Sequence, residues 1–277
     1  MSSSKLASVA IVCSGVLLYC SPSYAGPFIL AGTDADDHGF ATATDNVDGW
    51  LFMQKVLENL APAVTNGNTT VVSLGSNPGS TAGNAALSAF EKSALPGLGW
   101  TFQTVNDAAG ITAFLSGGAA GAGIIMLDSG SNVGGGLSGS EQTAISSEAT
   151  ALNTYVGAGG GLFSQANGFG FLGALGLGVT VVDEFETGIA LTAAGQSAFP
   201  GLTNSDLSAG PYHSSFTNVG AIPVLGLSTL TDNIVIIGSN TGSIIDPGNP
   251  TGVPEPVTAA LLGVGMLGLG LARRRRA

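Results

Sequence analysis

The chain has 277 residues, 44 of them glycine, with 9% charged residues, a mean hydropathy of +0.42 and a formal charge of −11. The charge is unevenly spread: segment 26–252 keeps Lys55 and Lys92 as its only bases against 17 acids, a formal charge of −15, whereas the C-terminus carries Arg273, Arg274, Arg275 and Arg276. So acidic a body lacks the basic footprint that nucleic acid and anionic lipid require and excludes them as partners, while its length is ample for one packed domain.

Residues 1–25 read as a secretory signal peptide. Lys5 supplies the positive start, 6–19 is largely apolar, and Ser23 and Ala25 put small residues before a cut, so the mature chain is expected to begin at Gly26. A lipid-bearing Cys20 is disfavoured because bulky Tyr19 precedes it. The cut removes Cys13 and Cys20 and leaves a body without disulfides or thiol chemistry.

The body, 26–239, alternates strand and helix signals. The apolar run 28–31 predicts a buried strand that empties into Gly32, Thr33, Asp34, Ala35, Asp36, Asp37 and His38. Trp50, Met53, Leu57 and Leu60 recur at helical spacing, with Asp48 placed to cap and Pro62 to stop the helix. A β-branched strand follows at 69–74, then a loop at 75–81 and a helix at 85–95 with Leu87 and Phe90 on one face. The third strand is 100–105, after which Asn106 or Asp107 caps a helix carrying Ile111, Phe114 and Leu115. The fourth, 123–127, is apolar throughout, as expected of a strand covered on both faces.

Ser138 and Glu141 have capping-box spacing before a helix whose apolar face is Ile145, Ala149, Leu152 and Val156 and whose end is Gly157. Segment 159–164 is the fifth strand. Beyond it, 179–182, 189–191, 222–227 and 234–238 read as edge strands, the last returning to the sheet. The fold class implied is α/β, an open and mostly parallel sheet with helices on both faces.

The succession of a strand ending in Gly32-Thr33-Asp34, a strand ending in Leu127-Asp128-Ser129-Gly130 and a helix running into Tyr155-Val156-Gly157-Ala158-Gly159-Gly160-Gly161-Leu162-Phe163 resembles the class I glutamine amidotransferase-like superfamily, including its trehalose-utilisation-type members. Ala190-Leu191-Thr192-Ala193-Ala194-Gly195 and Phe199-Pro200-Gly201-Leu202 extend the resemblance to most of the body. It implies a flavodoxin-like sheet with a nucleophile turn after the fifth strand. Ser164 stands there in place of the family's cysteine, which implies a non-catalytic, binding or structural domain.

Ligands of open α/β sheets lie beyond the carboxyl ends of the strands. Asp34, Asp36, Asp37 and His38, then Asp128, Ser129 and Asn132, then Ser164, Gln165 and Asn167 are expected to converge there, with His213 in reach. A secreted hydrolase would use Ser164, His213 and Asp128, although Leu162 and Ala166 replace the glycines of a nucleophile elbow. Hard oxygens of Asp34, Asp36 and Asp37, with Asp128 as a further candidate, suit calcium or magnesium, at a spacing unlike an EF-hand loop. The plainest reading makes these residues turn formers and caps, with no cofactor required.

Residues 240–252, rich in Gly, Asn, Ser and Pro, form a linker to the tail 253–277. There Pro254, Glu255 and Pro256 break the chain, 257–272 is uncharged and apolar, and Arg273 to Arg276 close it. Sixteen residues give roughly 24 Å of helix, a short transmembrane span that flanking arginines help to seat, with the C-terminus inside. This tail resembles the PEP-CTERM sorting signal of Gram-negative bacteria. The resemblance implies transfer by the Sec export machinery, transient anchoring in the inner membrane through 257–272 and release by exosortase to the cell surface. There the expected role is that of a surface or matrix protein meeting extracellular polysaccharide.

Overall fold

The structure, a computed structural model, describes residues 26–130, 134–165 and 168–239. The signal segment 1–25, the linker 240–252 and the tail, with Pro254, Glu255, Pro256, the apolar run 257–272 and the four arginines, lie outside the described residues, as do Asn132 and Asn167. Among the described residues no helix is long and apolar enough to cross a membrane.

Strand β1 (Phe28–Ala31) is buried along its whole length and leads into a hairpin, β2 (Gly39–Ala41) and β3 (Asn46–Asp48), that the sequence pattern does not announce. Helix α1 (Gly49–Leu60) buries Trp50, Phe52, Met53, Val56, Leu57 and Leu60. Asp48 stands at its N-cap but makes no side-chain cap bond, and the Gly49 N–H donates instead to the His38 carbonyl at 2.7 Å. Pro62 ends the helix in a short 3-10 turn.

Strand β4 (Thr70–Leu74) precedes α2 (Thr81–Glu91), which begins before 85 because the Ser80 side chain caps Gly83 N–H. Its inner face is Ala82, Ala85, Ala86, Ala89 and Phe90, small residues that bring it close to the sheet, and Leu87 points outward. After β5 (Thr101–Val105), Asp107 rather than Asn106 caps α3 (Ala108–Ser116) by accepting from Gly110 N–H at 2.7 Å. Strand β6 (Ile124–Leu127) is fully buried.

The helix expected over 139–157 is divided at Glu148 into α4 (Gly139–Ser147) and α5 (Ala149–Gly157), and both halves of the Ser138/Glu141 capping box are formed. Strand β7 (Gly161–Ser164) follows, then α6 (Leu172–Leu175), β8 (Thr180–Thr187), β9 (Ile189–Leu191), α7 (Ala193–Ala198), α8 (Asn204–Leu207), β10 (Pro211–Thr217), β11 (Val224–Ser228) and β12 (Ile234–Ser239). The short helices α7 and α8 and the strand β10 go beyond the sequence reading.

The main sheet runs β5-β4-β6-β7-β1-β12-β10-β8, with β11 on β12 and β9 on β11. Strands β5, β4, β6, β7 and β1 are mutually parallel, and β12, β10 and β8 continue the sheet antiparallel. The mixed α/β class with a parallel central sheet is as expected, and the antiparallel extension is larger than the edge strands anticipated.

Alternation along the parallel strands sends side chains into two cores. Ile29, Val71, Ile124, Met126 and Phe163 pack under α1 and α2, whereas Leu30, Val72, Leu74, Ile125, Leu127 and Leu162 pack under α3, α4 and α5. Helices therefore cover both faces, and the strand ends decide what stands between them.

Candidate functional site

At the carboxyl end of β4 the crossovers diverge, because the chain goes outward to β5 and returns to β6 on the other side. Such a reversal opens a crevice. The alternation that builds the two cores determines what faces it. Ser73 lies between Val72 and Leu74, Asp128 follows Leu127, and Gln165 follows Ser164, so all three turn toward the α1/α2 face. Ser73 and Ser76 hydroxyls are hydrogen-bonded to each other, and Ser76 donates to Asp128 Oδ2. Gln165 N–H donates to the Leu127 carbonyl at 3.3 Å, which continues the β6–β7 register and sets the residue opposite Asp128.

The loop after β1 supplies the opposing wall. Trp50 at the start of α1 donates its indole N–H to the Asp36 carbonyl at 3.0 Å, and together with the Gly49 contact this pins the acidic loop to the helix. Asp36 and Asp128 are both completely buried. Desolvation by burial raises Asp36 to about 7 and raises Asp128 well above the ordinary carboxylate range, and each is raised further by neighbouring acid charge, Asp37 and Asp34 for the first and Asp36 for the second. The Ser129 hydroxyl near Asp36 and the Ser76 and Ser73 hydroxyls at Asp128 act in the other direction. Half-buried Asp37 is likewise raised by desolvation and by Asp34, and Gly134 packs against it so closely that a β-carbon there would stand 1.5 Å from Asp37 Oδ1.

A second, more open part of the rim is built around Asp34. Its Oδ2 is 2.9 Å from His213 Nε2 and 3.2 Å from His38 Nε2, so one carboxylate oxygen is shared by two imidazoles. His213 reaches it because β10 crosses the end of β1 at Gly32. His213 N–H and Ser214 N–H both donate to the Gly32 carbonyl, and a β-carbon on Gly32 would lie 1.7 Å from the Ser214 carbonyl oxygen. At the same place the β10–β8 register shifts, with Tyr212 opposite Glu186 and Ser214 opposite Asp183, so that Glu184 and Phe185 together face His213. This bulge re-aims the side chains. Phe185, 72% exposed, lies with its ring centroid 5.1 Å from that of His213. Alongside is a small, open recess lined by Thr33, Asp34, His38, Asp206, Leu207 and Pro211.

The relay Ser164–His213–Asp128 is not assembled. Ser164 pairs in register with Leu30 and Leu127, whose side chains enter the α3/α4/α5 core, so its hydroxyl is turned away from Asp128, fully buried and without a hydrogen-bond partner. His213 is engaged with Asp34, and Asp128 with Ser76. Nor do Asp34, Asp36 and Asp37 form a metal cage: among the described residues no three His, Cys, Asp or Glu side chains are arranged to hold a metal ion. Their convergence is real, but Asp34 faces the histidines while Asp36 faces Asp128. Glu184 and Glu186 sit in β8, and Glu184 accepts from Ser215 and Asn233.

Sequence reasoning missed Ser73, Ser76 and Phe185. The strand-end rule that found Asp128 applies equally to Ser76, which follows the second strand. No family model, no curated protein and no solved structure matches the chain.

Proposed function

We propose that this chain is an exported protein, sorted by its Pro254-Glu255-Pro256 tail and released by exosortase to the cell surface or matrix. Its non-catalytic, amidotransferase-like body binds extracellular polysaccharide there. The parallel set with helices on both faces supports a body of the α/β class, although its first strand, β1, stands at the edge of the set beside β7 and not inside it as in the flavodoxin-like 2-1-3-4-5 order. The binding role rests on one observation, the exposed Phe185 ring lying against His213, which in turn is bonded to Asp34. An aromatic face offers a surface for sugar C–H groups, and carboxylate and imidazole groups beside it match hydroxyls, the combination of apolar surface and few oriented polar groups that ligand sites use.

Two arms of one experiment test this reading. In cells producing the full chain, replacing Pro254, Glu255 and Pro256 by alanine is expected to hold the body in the inner-membrane fraction, and unchanged release would overturn the sorting assignment. In affinity gels containing the exopolysaccharide of the producing cell, Phe185→Ala is expected to reduce retardation about tenfold, a loss of roughly 1.4 kcal/mol. Equal retardation of both forms would remove the binding site from this face.

A further inference from the structure

Asp36 and Asp128 form a buried pair of acids for which the described residues provide no cation. Of the described residues the only Lys or Arg side chains are Lys55, paired with Glu58 at 2.8 Å, and Lys92, which donates to the Thr42 and Ala43 carbonyls. Both histidines are bound to Asp34. Placing two carboxylates in a dry interior costs several kcal/mol for each ion unless something compensates.

The second observation is independent of charge. Gln165 is completely buried, it follows Ser164 on the strand next to Asp128 and faces the same side, and neither its Oε1 nor its Nε2 has a hydrogen-bond partner. Buried amides are almost always satisfied, so an orphaned one on the strand beside Asp128 points to an occupant. Asp128 Oδ1 is also without a partner. Neither Asp36 oxygen makes a hydrogen bond of good geometry, although the Ser129 hydroxyl stands near enough to stabilise the charge in part. The unsatisfied set comprises carboxylate oxygens, which carry two formal negative charges, and the Gln165 amide, whose carbonyl oxygen can join them as a ligand while its Nε2 can only donate.

We propose that Asp36, Asp128 and the Gln165 carbonyl form a site for a hard divalent cation, calcium in the first place, beneath the start of α1. Oxygen donors with no nitrogen or sulfur among them select calcium or magnesium over zinc or copper. Two carboxylates neutralise one divalent ion, so the bound pair is no longer an uncompensated charge. The cation ties the loop after β1, which carries Asp34 and His38, to the ends of β6 and β7. This site is separate from the Asp34 pocket, and its test does not depend on polysaccharide binding.

The full-length chain in detergent, stripped with EDTA, is melted at pH 7.5 with increasing calcium and, separately, magnesium. The melting temperature is expected to rise by about 5 °C or more when the cation reaches a hundred times its dissociation constant. Asp128→Asn is expected to melt higher than the unsubstituted chain in EDTA, because one of the facing charges is gone, and to lose the response to cation. Gln165→Leu keeps both charges and is expected to weaken binding about tenfold. Calorimetric titration of the unsubstituted chain reads the same site without relying on any variant. A melting temperature unmoved by 10 mM of either cation overturns the proposal, and so does a response that survives Asp128→Asn. In the first case the pair shares a proton, and in the second the cation sits elsewhere.

Discussion

At the scale of single residues, the site is a set of carboxyls whose neighbours determine their different tasks. Asp34 is stabilised by two imidazoles, whereas Asp36, two residues on, is buried among other acids. The folded-state pKa of Asp36, about 7, lies above its ordinary value of 3.8, so the folded protein holds a proton that the unfolded chain releases. Without cation, the stability contributed by this group is therefore full below about pH 4, falls as pH rises toward 7 and levels off above it, with a slope of at most about 1.4 kcal/mol per pH unit. Urea unfolding in EDTA between pH 4.5 and 7.5 is expected to show this decline, and Asp36→Asn to flatten it. Asp36 and its spacing from Asp34 are visible in the chain. Its difference from Asp34 is not, because desolvation depends on what packs above the loop.

Among the elements, the junction of α3 and α4 shows how a local signal acquires a distant partner. Glu141 completes the capping box with Ser138, accepting from Ser138 N–H at 2.7 Å, and its other oxygen accepts from Asp107 N–H at 2.9 Å, tying the start of α4 to the start of α3. Ser138→Ala is expected to cost about 1 kcal/mol, the usual worth of a cap. Glu141→Ala leaves donors orphaned at two helix starts and is expected to cost about 2–3 kcal/mol. Chemical denaturation of the two variants in parallel checks the ranking. The capping box, the Asp107 cap and the buried strands β1, β4 and β6 were legible because each depends on a few neighbouring residues. The break at Glu148 was not: the apolar spacing from Ile145 to Val156 continues across it, and nothing in the local sequence marks it. Strand β10 was hidden for another reason. Its inward positions include Ser214 and Ser215, which have no apolar signature, and it is a strand because β8 and the end of β1 hold it.

Across the whole molecule, a parallel half with helices on both faces is joined to an antiparallel half along β1 and β12, and the rim lies where β10 folds over that seam. Gly32 is the point of closest approach. Gly32→Ala sets a β-carbon against the Ser214 carbonyl and is expected to cost about 3 kcal/mol or more and to separate His213 from Asp34. Denaturant unfolding checks the first effect, and the NMR chemical shifts of the His213 imidazole the second. Both follow from one displacement, since the backbone that clashes is the backbone that carries the histidine.

The order of strands and helices, the burial of the parallel strands and the presence of carboxylates after them follow from residue patterns a few positions long, since periodicity and capping are local properties of a chain. Which face each strand end presents, and hence that Ser164 turns from Asp128 while Gln165 turns toward it, required the register between strands far apart in sequence. The pairing of Asp34 with His213 and of Asp36 with Asp128 arose the same way. Burial and Coulomb interaction depend on distance in space, and only the packing of β7 and β10 against β1 and its loop supplied that distance.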